Sequence, residues 1–105
     1  LPSPKLEEAK KIYNEIVRKV FPKDTSDIWD SIKDSSASDL MEDNKIDGRK
    51  ANKKYDPLRA ELKRLETATG LKPENGVTGP EEPVGKYLNR IVESAVASDS
   101  QNNLK

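Results

Sequence analysis

Apolar residues recur every three or four positions near the start of the chain, which is the spacing of an amphipathic helix. Ser3 suits the N-cap, Pro4 suits the first helical position, and Pro22 follows the last apolar residues. The pattern therefore predicts a helix over 4–21 with one broad apolar face. The apolar positions on this face are Leu6, Ala9, Ile12, Tyr13, Ile16, Val17 and Val20.

Two later segments have the same periodicity and carry their own end signals. Asp56 is a candidate N-cap, Pro57 suits the first turn, and Gly70 can adopt the left-handed conformation that ends a helix. These signals predict a helix over 57–69, or one longer helix that is kinked at Pro57. The last apolar pattern predicts a helix over 84–97.

The segments between these helices carry weaker signals. A short helix is predicted over 26–34, with Thr25 or Ser26 as its N-cap and Trp29 on its apolar face. A turn of helix is predicted near 38–43. Residues 70–83 contain three prolines and three glycines, which predicts a long loop that either crosses the end of the bundle or makes contacts of its own.

Together these elements predict an all-α fold, a small irregular up-and-down bundle of three to four helices. Residues 1–97 form its single domain, and its core is expected around Tyr13, Ile16 and Trp29. The tail 98–105 has no periodicity and is predicted to be flexible. No segment has the pattern of a β-strand.

Composition limits both the stability and the chemistry of this fold. Charged residues make up 36% of the 105 residues and hydrophobic residues 32%, so the core is thin and a partner is expected to stabilise it. The chain contains no cysteine and no histidine, which excludes disulfides, thiol chemistry and the commonest catalytic base and metal ligand. Asp43 to Gly48 resembles a calcium loop, but Lys45 and Lys54 occupy positions that need oxygen ligands.

No motif for catalysis or for phosphate binding is present in the sequence. We therefore predict that the protein is not an enzyme, with no catalytic residues, no cofactor, no metal site and no small-molecule substrate. No apolar run approaches the roughly 20 residues of a membrane-spanning helix. The first residue is Leu1 rather than Met, which fits removal of a targeting segment, with an organellar or lumenal location, and equally fits an excised domain.

The net charge is zero, but charge is unevenly distributed along the chain. Residues 1–23 carry six basic and three acidic side chains, and 24–44 carry one basic and seven acidic. Residues 45–65 carry eight basic and three acidic side chains, and 66–105 carry four basic and six acidic. These blocks either face each other or are solvated, or they steer the protein onto a partner of complementary charge.

Two groups of residues are candidates for contact with a partner. Trp29, the only tryptophan, is either an anchor of the core or an exposed hot spot of an interface. The second group is a basic cluster that would form a partial stripe on a helix beside Tyr55. It is a solvated or internally paired face, a nucleic-acid contact, or a contact for an acidic protein surface. Its members are Arg49, Lys50, Lys53 and Lys54.

The leading functional hypothesis is a non-catalytic helical protein that mediates protein interactions or belongs to a larger assembly. A nucleic-acid-binding module that uses the basic segment 49–54 is the rival. The order of Trp29, the leucine-rich segment 58–68 and the segment 87–92 resembles the extrinsic four-helix subunits on the lumenal side of photosystem II. This resemblance implies an accessory role in a photosynthetic membrane complex, although the region between Trp29 and Pro57 is too short for that family's long second helix.

Overall fold

A computed structural model describes residues 4–42, 45–46, 49–50, 53–74 and 81–103. These residues form a small all-α bundle, as the sequence predicts. The elements in chain order are α1 (Pro4–Val20), a 3-10 turn (Lys23–Thr25), α2 (Ser26–Ile32), α3 (Ala37–Met41), β1 (Lys45–Ile46), β2 (Arg49–Lys50), a second 3-10 turn (Lys53–Tyr55), α4 (Asp56–Thr69) and α5 (Val84–Asn103).

The three long helices confirm the periodicity, with differences at their ends. The predicted cap Ser3 lies outside the described residues. Asp56 is the first residue of α4 rather than its N-cap, because its carboxylate binds Arg59 one turn later. Gly70 ends α4 with a φ of 76°, as predicted. Helix α5 continues to Asn103, so the predicted end at 97 is six residues too early.

The short helices also begin differently from the prediction. Thr25 directly precedes α2, but its side chain accepts no capping hydrogen bond; its hydroxyl donates instead to the carbonyl oxygen of Pro22. Helix α2 ends at Ile32, two residues before the predicted end. Ser36 caps α3, because its side chain accepts a hydrogen bond from the backbone N–H of Asp39. The predicted turn of helix therefore exists, and it begins with a serine cap.

The segment before α4 is the clearest error of the sequence interpretation. β1 and β2 form an antiparallel ladder in which Lys45 pairs with Lys50 and Ile46 with Arg49. The prediction that no segment forms a β-strand is therefore wrong for these four residues. A 3-10 turn precedes α4, so the alternative of one long kinked helix is also wrong.

Helix α5 lies at the centre of the core, with α4 and one face of α1 packed against it and the shorter helices around them. Ile16 and Trp29 are buried and Tyr13 is half-buried, so the predicted centre contributes to the core but lies at its side. The most deeply buried large side chains are Tyr87, Ile32, Leu40, Leu58, Leu62, Leu88, Ile91, Val84 and Val92.

Backbone hydrogen bonds fasten the start of α5 to the segment between α2 and α3. The N–H of Val84 donates to Ser35, the N–H of Gly85 donates to Lys33, and the N–H of Ala37 donates to Glu82. The first two bonds satisfy donors in the first turn of α5, and the third satisfies a donor in the first turn of α3; none of these donors has a partner within its own helix. The bonds fix the region of α2 and α3 relative to α5.

Candidate interaction surfaces

The outer face of α1 is the first candidate surface. Ala9 and Ile16 are buried on the inner side of this helix. The opposite side lines an open surface depression of about 790 Å³, and the described residues around it all belong to α1. They are Glu7, Lys10, Lys11, Asn14, Glu15, Arg18 and Lys19, and all are exposed. We call the four cations among them, Lys10, Lys11, Arg18 and Lys19, the basic stripe.

Within the described ranges, three of the four cations in the basic stripe have no ion pair. The ammonium of Lys19 lies 3.0 Å from one carboxylate oxygen of Glu61, and the guanidinium of Arg64 lies 2.8 Å from the other. The hydrogen bonds from Arg64 and Lys19 lower the pKa of Glu61. Lys10, Lys11 and Arg18 form no ion pair with any described residue. Among the described residues, the stripe therefore presents three cations that solvent or a partner can neutralise.

A second exposed surface, of opposite charge, follows directly along the chain. Asp24, Asp27, Asp30 and Asp34 recur every three or four residues along α2 and the turns on either side of it, and all four are exposed. We call these four residues the acidic face. Only Asp30 forms an ion pair among the described residues, a local contact of 3.7 Å with Lys33. The acidic face and the basic stripe therefore do not neutralise each other within the chain.

The basic cluster predicted from the sequence is not a helical stripe. Arg49 and Lys50 form β2, whereas Lys53 and Lys54 belong to the following 3-10 turn. The prediction of a stripe on one helix is therefore wrong, because the two pairs belong to different elements and neither element is an α-helix. The ammonium of Lys54 lies 5.2 Å from the ring centre of Tyr55, and the tyrosine is buried. The aromatic ring is thus not available as a stacking platform beside the cations.

Trp29 lies in the core, where the first of the two interpretations places it. Its side chain is 7% exposed. The ring of Phe21 stacks on it at a centroid distance of 5.9 Å, and Tyr13 packs against it edge-on at 6.3 Å. This aromatic group joins the end of α1 to α2 and thereby sets the position of the acidic face.

A polar network that sequence reasoning missed holds the two described ends of the 70–83 loop together. Glu82 accepts hydrogen bonds from the Arg90 side chain and from the backbone N–H of Glu74. Arg90 also donates to the carbonyl oxygen of Lys72, at 2.6 Å. Burial would raise the pKa of Glu82, but these hydrogen bonds and the charge of Arg90 lower it. The central part of this loop, 75–80, lies outside the described residues.

The two residues that bind Glu82 lie eight positions before it and eight positions after it, so no short-range spacing in the sequence marks the three as a group. The basic stripe, in contrast, is visible in the sequence as cations on the polar side of the first helix. It is not apparent when charge is summed over whole segments, because each sum mixes stripe residues with their acidic neighbours.

Tyr87, on α5, is a further buried polar residue. Burial and its hydrogen bond to Glu66 raise the pKa of Tyr87, so the phenol remains a hydrogen-bond donor.

Within the described part of the chain, no group of three acidic side chains is arranged to hold a metal ion. None of the described helices is long and apolar enough to cross a bilayer. Between α2 and α4 the only described α-helix is the five-residue α3, which is far shorter than the second helix of the photosystem II subunits that the sequence resembles.

Comparison with protein-family models, with curated proteins and with solved structures finds no match to this chain. The charge and geometry of its own surface are therefore the basis for a functional proposal.

Proposed function

We propose that this protein is a non-catalytic interaction module that binds an acidic surface of a protein partner through the outer face of α1. The observation that carries the proposal is the exposed row of Lys10, Lys11 and Arg18, none of which has an ion pair among the described residues. Cations in this state lose no internal contact when a partner carboxylate approaches. They can therefore contribute their full attraction to the encounter and to its orientation.

The pattern of charge on α1 favours a protein partner over a nucleic acid. Glu7 and Glu15 lie among the cations of the basic stripe and are exposed. Each carboxylate repels the uniformly spaced phosphates of a nucleic acid, whereas a protein surface of mixed charge can place a cation opposite it. The protein is also neutral overall, unlike most nucleic-acid-binding domains.

The proposal is tested by affinity capture from nuclease-treated lysate of the source organism, followed by quantitative mass spectrometry. The wild-type chain is compared with a variant that reverses three charges, K10E/K11E/R18E. We expect at least one captured protein to fall by about tenfold with this variant, which corresponds to 1.4 kcal/mol of binding free energy.

The matched control is K63E/K72E/K86E, which changes the net charge equally at exposed lysines outside the basic stripe. It should retain the captured protein, because general attraction contributes less than a specific contact. Equal losses with both variants would contradict a binding surface on α1. Capture that disappears after nuclease treatment would instead support the nucleic-acid-binding module that uses 49–54.

A further inference from the structure

We propose that the acidic surface recognised by the basic stripe is the acidic face of a second copy of this chain. The inference rests on the proposed function, because it names the partner of the same site. Both surfaces belong to every molecule, both are exposed, and among the described residues they form no ion pair with each other. Each copy therefore offers the complement of what it binds.

The two surfaces match in the detail of their charges as well as in their sign. The four cations of the basic stripe lie beside two carboxylates, Glu7 and Glu15. The four carboxylates of the acidic face lie beside two cations, Lys23 and Lys33. Each surface is thus a mixed pattern with an excess of two charges, and the excesses are opposite. Such patterns give favourable pairs in one register and like-charge contacts in others, which makes the pairing selective.

Overall charge does not oppose this pairing. The chain carries 19 basic and 19 acidic side chains, so two copies experience no net repulsion at neutral pH. The contact joins unlike surfaces, the stripe of one copy and the face of another. Because both surfaces are exposed and polar, we expect the association to be weak, reversible and strongly reduced by salt.

The shapes of the elements are compatible with such a contact. The basic stripe extends along one side of α1, a helix of 17 residues. The acidic face spans the shorter α2 and the residues on either side of it. The stacked rings of Phe21 and Trp29 fix the position of α2 at the end of α1. The basic stripe is therefore carried on one packed helix, and the acidic face on α2 and the turns that flank it.

Static light scattering measures this attraction directly, through the sign of the second virial coefficient of the full chain. We expect a negative coefficient at about 20 mM salt that becomes zero or positive at about 500 mM, where charges further apart than about 5 Å are screened. Two variants keep the net charge at zero. The neutral variant is K10Q/K11Q/R18Q/D24N/D27N/D34N, and the exchanged variant is K10E/K11E/R18E/D24K/D27K/D34K.

The neutral variant should lose the salt-dependent attraction, whereas the exchanged variant should keep it, because its two surfaces remain complementary. Circular dichroism checks that both variants are folded. If either is not, it is replaced by two variants that are each altered on one surface only, K10Q/K11Q/R18Q and D24N/D27N/D34N. Attraction that persists in the neutral variant, or disappears in the exchanged variant, would overturn the inference. A wild-type chain with a positive coefficient at both salt concentrations would also overturn it. If lysate capture then still depended on the basic stripe, the proposed function would stand without self-association.

Discussion

Arg90 binds Glu82 through both carboxylate oxygens, one at 2.8 Å from its Nε and the other at 2.9 Å from an Nη. The side chain of Glu82 is only 2% exposed, so its charge depends on this partner. The same guanidinium donates to the carbonyl oxygen of Lys72 at the far end of the loop. One side chain of α5 thus neutralises a buried carboxylate and fastens both ends of the loop.

Replacement of Arg90 by alanine should destabilise the fold by about 2 kcal/mol or more, because a buried carboxylate loses its charged hydrogen-bond donor. Urea denaturation followed by circular dichroism measures the change. The matched control is Arg64→Ala, which removes an Arg–Glu pair whose arginine side chain is 64% exposed. It should cost less than about 1 kcal/mol. Equal costs for the two variants would contradict the special position of Glu82.

The same carboxylate should make stability depend on acid. The pKa of Glu82 is lowered in the folded chain, so below the unfolded value of about 4.3 the unfolded chain binds more protons. The contribution of Glu82 is therefore complete above that pH and is lost as pH falls through the folded pKa. Glu82→Gln removes this part of the dependence.

Urea denaturation of wild type and Glu82→Gln between about pH 6 and pH 3 tests this expectation, and the variant should show the shallower decline. Glu93→Gln is the control, since Glu93 is an exposed carboxylate of α5. Glu61, whose pKa is lowered by Arg64 and Lys19, contributes equally in all three proteins. An unchanged slope in Glu82→Gln would show that the carboxylate is not stabilised by its partners.

Helix positions were predictable from the sequence where local signals agreed with burial. Helix α4 has its seam of leucines, its early proline and Gly70 at its end, so its bounds followed from the pattern alone. Helix α5 was predicted too short, because residues after 97 have polar side chains and helix continuation there carries no amphipathic signal.

The sequence did not reveal the contacts between segments that are far apart along the chain. Gly85 lies in the first turn of α5. In the structure a Cβ at this position would lie 3.3 Å from the Cβ of Lys33, so glycine permits close approach of the two backbones. Arg59 likewise donates to the carbonyl oxygen of Leu40 and so satisfies an acceptor at the end of α3. No periodicity within one helix encodes either contact.

The end of α4 offers a test of backbone conformation that is free of steric clash. A Cβ at Gly70 would meet no atom within 4 Å, so Gly70→Ala changes only the cost of the positive φ of 76°. We expect a loss of about 1 kcal/mol, and a smaller loss for Gly70→Asn, because asparagine tolerates the left-handed region better. Urea denaturation of the two variants and wild type provides the measurement. If alanine and asparagine cost the same, the left-handed cap would not be what glycine supplies.

The burial of Trp29 predicts a structural rather than a binding phenotype. Its ring packs between Phe21 and Tyr13, and 7% of it is exposed. Trp29→Ala should therefore cost about 3–5 kcal/mol, a large part of the 5–15 kcal/mol that holds a typical domain together. Leu6→Ala, at a residue that is 45% exposed, should change stability by about 0.5 kcal/mol at most.

Acrylamide quenching of the wild-type Trp29 fluorescence gives a second readout, and the quenching should be weak until urea unfolds the chain. Because α2 carries the acidic face, loss of Trp29 should also weaken self-association, but only in proportion to the fraction unfolded. A Trp29→Ala protein that stays fully folded and loses self-association would instead assign the indole to the interface.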